Sequence, residues 1–232
     1  MRERLLSILD YRYFSRQPPG VREAFRVLRR EMEMEREYEK TRQRLRALDG
    51  EIRLNLGCGA DVMPGWVNIS TDGGGSESRP DFYKFDLRRG IPLPEESVSF
   101  IYSSHFFEHL TNGEGQGLMR ESYRVLTPGG IFRMALPTTH KLFDYYLRDD
   151  RSYWHMLPIK EMFGREDICY GDLADEAIYQ HGEHVCFYDP ERAVRVLTEI
   201  GFREARETEY LEGVDLSDEL RRFGSFYVEG RK

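Results

Sequence analysis

The 232-residue chain is 40% hydrophobic and 32% charged, with three cysteines and a formal charge of −7. No apolar run reaches the roughly 18 residues of a membrane span, the first ten residues are too short and too charged for a secretory signal, and Cys58, Cys169 and Cys186 are too few and too scattered for a disulfide framework or a zinc pattern. These properties fit one domain with a helical arm, a reducing cytoplasm and a surface that does not generally attract nucleic acid.

Residues 1–49 form the arm. A short helix over residues 1–14 offers Leu5, Leu6, Ile8, Leu9, Tyr11 and Tyr13 for burial, and Gln17-Pro-Pro-Gly20 breaks it. A long helix follows over residues 21–48. Val21, Phe25, Leu28 and Met32 make one apolar stripe, which Met34, Tyr38, Leu45 and Leu48 continue with a drift. Such a stripe packs on its own domain or, in a coiled coil, on a second copy. Thirteen Arg and Lys against nine Asp and Glu leave the arm at +4 and the rest of the chain at −11. The i, i+3 spacing of Glu33/Arg36, Glu37/Lys40 and Glu39/Arg42 reads as a solvated helix surface rather than a site for an anionic partner.

From residue 50 onward, strand signals alternate with helix signals, which predicts a largely parallel sheet. Ile52, Leu54 and Leu56 mark a buried strand that ends in Gly57-Cys58-Gly59, and a second strand follows Gly65. Phe82-Tyr-Lys-Phe-Asp86 is a short apolar run ending in an acid. Residues 97–104 make the next strand, and a helix over 114–126 stops at Thr127-Pro-Gly-Gly130. A strand over 131–137 follows. Asp189-Pro-Glu191 starts a helix that ends at Gly201, because Asp caps, proline fits the first position and glycine takes the left-handed exit. Strands over 202–210 and 225–230 close the domain. Residues 138–186 are too long for an ordinary connection. Their Phe143, Tyr145, Tyr146, Tyr153, Trp154, Tyr170 and Tyr179 suit either a lid that recognises an acceptor or a satellite hydrophobic cluster.

Two glycines after a buried strand let the backbone turn sharply and let a ligand approach the main chain. A phosphate-binding loop would need a Lys and Ser/Thr after its second glycine, and none follows. A dinucleotide fingerprint needs a third glycine where Val62 stands. A nicotinamide-dependent reductase is therefore the weaker alternative.

Five signals occur in order: Leu54-Asn-Leu-Gly-Cys-Gly59, Gly65-Trp-Val-Asn-Ile69, Phe85-Asp-Leu87, Ile101-Tyr-Ser-Ser-His-Phe-Phe-Glu-His-Leu110 and Glu121-Ser-Tyr-Arg-Val-Leu-Thr-Pro-Gly-Gly130. With His184-Val-Cys-Phe-Tyr-Asp-Pro-Glu-Arg192, they give residues 51–230 a close resemblance to the class I S-adenosylmethionine (SAM)-dependent methyltransferases, in particular the small bacterial type 11-like group. The resemblance implies an α/β, Rossmann-like fold with a seven-stranded, mostly parallel sheet and an antiparallel last strand. It places SAM, and its product S-adenosylhomocysteine, at the C-terminal strand ends. Asn55, Gly57, Cys58 and Gly59 would line its methionine and ribose portion, and Asp86 with Leu87 its adenine. Ser103, Ser104 and His105 would lie beside the reactive methyl. Two positions depart from the pattern: Asn55 stands where most of the class carries an acid, and Ser70 stands at the ribose-binding acid, with Asp72 two residues on as the nearest carboxylate. That departure motivates a second alternative, a SAM-binding homologue without catalysis.

Methyl transfer from a sulfonium is an in-line displacement that needs the acceptor aligned in a dry site, and a base only where the acceptor arrives protonated. His105 and His184 are the candidate bases. The expected acceptor is an oxygen or nitrogen of a small or medium molecule, glycan and natural-product compounds included. His109 reads as a packing residue and Cys58 as a small residue in a tight loop. The histidine spacing along the chain matches no standard metal set. A homodimer through the long helix is an open expectation.

Overall fold

The computed structural model describes residues 18–152 and 157–232, so the expected helix over residues 1–14, and Tyr153 and Trp154, lie outside the described residues. The first described helix, α1, spans Pro19–Arg46. Seven strands follow in chain order: β1 (Arg53–Leu56), β2 (Val67–Ser70), β3 (Phe82–Lys84), β4 (Val98–Ser104), β5 (Leu126–Pro137), β6 (Arg203–Thr208) and β7 (Ser225–Arg231). They join in the order β3-β2-β1-β4-β5-β7-β6. β7 runs antiparallel to both of its neighbours, as expected.

The strand interiors explain the sheet. Leu54 and Leu56 of β1, Ile101 of β4 and Phe132 and Met134 of β5 are all fully buried, because helices cover a parallel sheet on its faces. On one face the cover is α2 (Asn112–Val125) and α6 (Pro190–Ile200), which contribute Leu118, Met119, Val125, Ala193, Val196 and Leu197 to the main core. Both helices start on side-chain caps. Thr111 and Glu114 form a reciprocal capping box, and the Asp189 carboxylate accepts from the Arg192 amide. Gly201 leaves α6 at φ 119° as predicted. The segment Thr127-Pro-Gly-Gly130 lies inside the span of β5, where the register to β4 shifts, rather than serving only as a helix stop. On the other face Trp66, Tyr102, Ala135 and Tyr227 make a smaller core.

Helix α1 divides into two halves. Tyr38, Thr41 and Leu45 are buried against the β3 edge: Tyr38 meets Phe85 at 5.1 Å and the Thr41 hydroxyl donates to the Lys84 carbonyl at 3.0 Å. The first half of the predicted stripe does not pack in the same way, since Val21 and Leu28 are about half exposed. A helix of 28 residues is about 42 Å long at 1.5 Å per residue, longer than the three-residue edge strand it crosses. Glu37/Lys40 and Glu39/Arg42 pair as expected, while Glu33 pairs back to Arg29 instead of to Arg36.

The long connection after β5 folds into α3 (Thr139–Leu147), α4 (Ile159–Phe163) and α5 (Tyr170–Tyr179). Leu142, Ile168, Tyr170 and Leu173 form their own cluster there. Short α7 (Glu219–Phe223) precedes β7.

Candidate active site

The C-terminal ends of β1, β2 and β4 gather the sequence-predicted residues, though not into one cavity. At the end of β1, Gly57 (φ 67°) and Gly59 (φ 50°) take left-handed conformations that glycine adopts without strain. The Asn55 amide is buried and donates to the Asp61 carbonyl at 2.8 Å and to the Asn68 side chain at 3.0 Å. Asn68 in turn accepts from the Met63 amide at 2.8 Å. Asn55 therefore braces the loop after β1 from below and is not presented to a ligand. The amides of Gly57 and Cys58 both point to the Ile69 carbonyl. Burial pushes the Cys58 thiol up to about 12, which makes it an inert filler of the tight loop, in line with its sequence reading.

An added Cβ at Gly57 would stand 2.1 Å from the ring of Phe106. Phe106 thus lies directly over the bare backbone, where the resemblance puts the methionine portion of SAM. Beside it opens a cleft of about 260 Å³, lined by Ser70, Phe85, Asp86, Leu87, Phe106 and His109. Asp86 caps the single turn at Leu87–Arg89, accepting from the Arg88 amide at 3.0 Å. The Arg88 guanidinium grips the same carboxylate at 2.9 and 2.8 Å and holds its pKa below the ordinary carboxylate range. Asp72 lies beside this cleft but does not line it. It accepts from the Gly74 amide at 2.9 Å and borders a larger opening under α1 that shares Thr71, Asp86 and Arg88 with the cleft.

β4 delivers the other half of the site. Ser103 is buried and donates to the Leu56 carbonyl at 3.0 Å, a strand-to-strand contact rather than a ligand contact. Ser104 ends the strand one residue before the turn. His105 takes φ 47°, a left-handed conformation that costs a non-glycine residue energy and persists where surrounding structure holds it. Its amide donates to the Ala135 carbonyl, and its Nε2 meets the Ser225 hydroxyl at 2.7 Å. Burial, with the Arg221 charge a lesser cause, pushes its pKa down to about 3. His105 is a neutral imidazole and a weak base. It borders a second cavity of about 80 Å³, lined chiefly by Leu142, Leu157, Met162, Leu173 and His184 under the post-β5 insertion. Leu142 and Leu173 of the insertion's satellite cluster also line this cavity.

Between the two cavities sits Glu108, 2% exposed, on the turn that joins β4 to α2. Burial raises its carboxyl to about 8. Its Oε1 lies 3.9 Å from His105 Nδ1 and 4.0 Å from His184 Nε2, neither within hydrogen-bond range. With the histidines neutral and the acid protonated near pH 7, neither approach is an ion pair. Sequence reading passed over Glu108 and Phe106. The available signal for the first was an acid inside the apolar run Phe106-Phe107-Glu108-His109-Leu110.

A sheet ordered 3-2-1-4-5-7-6 with an antiparallel seventh strand, a glycine turn after β1 and a carboxylate after β3 define the class I methyltransferase fold. Residues 53–134 match the family model described as a methyltransferase domain, a match that supports the resemblance to the class I SAM-dependent methyltransferases. A protein of Mycolicibacterium smegmatis named "Probable S-adenosylmethionine-dependent methyltransferase" is 31% identical over 116 residues, 44% of each chain. The aligned part is thus less than half the length of that curated relative. Among solved structures, a Thermotoga maritima SAM-dependent methyltransferase described as a possible histamine N-methyltransferase superposes with a TM-score of 0.50 at 15% identity, over 89% of this chain and 95% of that one. A SAM-dependent methyltransferase of Archaeoglobus fulgidus gives 0.48 at 15% identity, over 88% and 94%. SAM is the cofactor of the superfamily. The cleft beside Asp86 is open where the resemblance puts the adenine, while Phe106 stands over Gly57, where it puts the methionine portion.

Proposed function

We propose that this domain transfers a methyl group from SAM to an oxygen or nitrogen of a small or medium acceptor, compounds of glycan or natural-product type included. The observation that carries the reading is the pair of cavities at the end of β4, where Phe106 borders one and His105 the other. The cleft beside Asp86 is open and polar at its rim, and the cavity under the insertion is apolar with His105 and His184 as its imidazoles. When bound, SAM supplies an electrophilic methyl on a sulfonium. Gly57, Cys58 and Gly59 would carry its chain once the Phe106 ring moves off Gly57, Ser70 and Leu87 would border its ribose and base, and Asp86 would accept from the adenine amine. Ser103 holds the β4 end to β1, the Ser104 hydroxyl is buried at the strand end, and Asp72, in the opening it shares with Asp86, is the nearest carboxylate to the ribose. The apolar walls exclude water, which strengthens alignment of the acceptor with the methyl. The neutral ring nitrogens of His105 and His184 accept a hydrogen bond from an acceptor hydroxyl or amine. No helix among the described residues is long and apolar enough to cross a membrane, which fits an acceptor met in water and a cytoplasmic setting.

The test is calorimetric titration with SAM and S-adenosylhomocysteine, followed by a homocysteine-release assay across pools of small hydroxyl and amine compounds. Turnover that depends on one pool and falls in His105→Ala or His184→Ala supports the reading. A second reading, cofactor binding without catalysis, draws on Phe106 over Gly57 and on Ser70 in place of a carboxylate. Tight binding with no turnover in any pool would favour it.

A further inference from the structure

The structure assigns a first-row divalent metal site, of the zinc type, to Glu108, His109 and His184. One ligand atom from each lies within 4.8 Å of the others. These residues come from two segments, the turn after β4 and the end of the insertion, which are joined where the Val185 and Cys186 amides both donate to the Glu108 carbonyl.

Three observations point to a cation rather than to packing. First, both Glu108 carboxylate oxygens are buried without a hydrogen-bond partner. A buried carboxyl left so carries a desolvation cost that a ligand would offset. The Arg221 guanidinium, whose charge reaches it, is instead bound to Asp61 at 3.1 Å. Second, the two imidazoles are already in the ligating tautomer. His109 Nδ1 lies 3.2 Å from the Glu183 carbonyl and His184 Nδ1 lies 3.1 Å from the Ala177 carbonyl. A carbonyl only accepts, so each Nδ1 carries the proton and each Nε2 keeps its lone pair. Backbone carbonyls orienting metal-binding histidines in this way are a recurrent outer-shell feature. Third, the rings stand edge to face at 4.8 Å, so the two side chains converge instead of diverging.

Two imidazoles and one carboxylate suit zinc and its first-row neighbours, whereas magnesium and calcium favour all-oxygen sets. Zn–N bonds of about 2.1 Å put tetrahedral ligand atoms about 3.4 Å apart. The present atoms lie within 4.8 Å of one another and would draw together to reach that spacing, and the Glu108 carboxylate makes no hydrogen bond that this would break. Three protein ligands leave a fourth position open, and His184 borders the apolar cavity while His109 borders the cofactor cleft. A metal there would occupy His184 Nε2, leaving proton acceptance to His105 or to solvent.

Metal binding stands apart from the methyl-transfer reading and is tested without turnover. The full chain, stripped with a chelator, is titrated with Zn²⁺ by calorimetry and with Co²⁺ by visible absorption. One equivalent should bind with micromolar or tighter affinity, the Co²⁺ form should show the intense bands of a four-coordinate site, and zinc should raise the melting temperature. His109→Gln and His184→Gln should each weaken binding at least tenfold, while His181→Gln, at an exposed histidine outside the set, should not. Circular dichroism reports the folding of each variant, and the two ligand variants are independent arms. Wild-type protein that takes up no metal, or ligand variants that bind as well as wild type, would overturn the assignment. Activity in the absence of metal bears on methyl transfer alone.

Discussion

Two buried charged sites lie on neighbouring elements of the same sheet, and they are built in opposite ways. Arg133, on β5, is 1% exposed and fully engaged. Its Nε donates to Asp215 at 2.7 Å, its second nitrogen reaches the same carboxylate and the Glu209 carbonyl at 2.7 Å, and its third faces Glu229 at 3.4 Å. Asp215 in addition accepts from the Leu211 amide. The pair ties the 209–216 loop onto the smaller core. Glu108, on the turn after β4, is buried to the same degree and has neither oxygen satisfied. Proteins keep buried charges paired because the isolated ion is expensive to desolvate. A closed network thus reads as structure, and an open carboxyl between two cavities reads as a place where something else binds.

The comparison can be broken most forcefully at Asp215. Asp215→Ala leaves the Arg133 guanidinium buried without its main partner and should cost about 3–5 kcal/mol of stability in urea unfolding. Replacing both residues by apolar ones of similar volume should restore most of that loss, as expected when desolvation and attraction nearly cancel. A double variant as unstable as Asp215→Ala would mean that the pair is a net stabiliser.

Glu108→Gln should act in the opposite direction in chelator-treated protein. The folded carboxyl is raised to about 8, above its unfolded value. Its contribution to folding is thus present below the usual carboxylate range and lost as pH climbs through about 8. Glutamine removes that titration, so the variant should gain on wild type by about 1–3 kcal/mol at pH 9 and show little difference at pH 5. Thermal melts at the two pH values read this directly. An equal effect at both would rule out a raised carboxyl.

Asp86 is the intermediate case, since Arg88 already occupies both of its oxygens. Asp86→Ala should weaken S-adenosylhomocysteine binding by about 1 kcal/mol, the net worth of an ordinary hydrogen bond, with calorimetry as the measure. Unchanged affinity would remove Asp86 from the adenine edge. The smallest effect is expected from Phe106→Ala. Uncovering Gly57 should strengthen SAM binding a few-fold, and weaker binding would show that the ring forms part of the cofactor's wall instead of covering its place.

Much of the site was readable before folding. Gly57 and Gly59 follow from a strand end and turn chemistry, the resemblance implied Asp86, and His105 and His184 were named separately as candidate bases; the structure sets Asp86 on one cleft and brings both histidines to the other cavity. The engagement of each side chain was not readable. Asn55, Ser103 and Asp72 carry groups suited to a cofactor, yet their bonds go to the Asp61 carbonyl, the Leu56 carbonyl and the Gly74 amide. A polar side chain chooses among partners that only packing brings near. Phe106 was read as part of a motif and proves to be the ring over Gly57.

Local regularities settled the order of elements. Periodic burial, an Asp-Pro helix start, a glycine exit and a glycine turn act within a few residues, so the chain specifies them without knowing its own fold. The sheet order beyond what the resemblance implied, the docking of only half of α1, and the meeting of Glu108 and His109 with His184, some 75 residues away along the chain, are long-range outcomes. Spacing along the chain carries no distance between segments that meet only after folding, which is why a histidine set invisible in the sequence can converge in the folded domain.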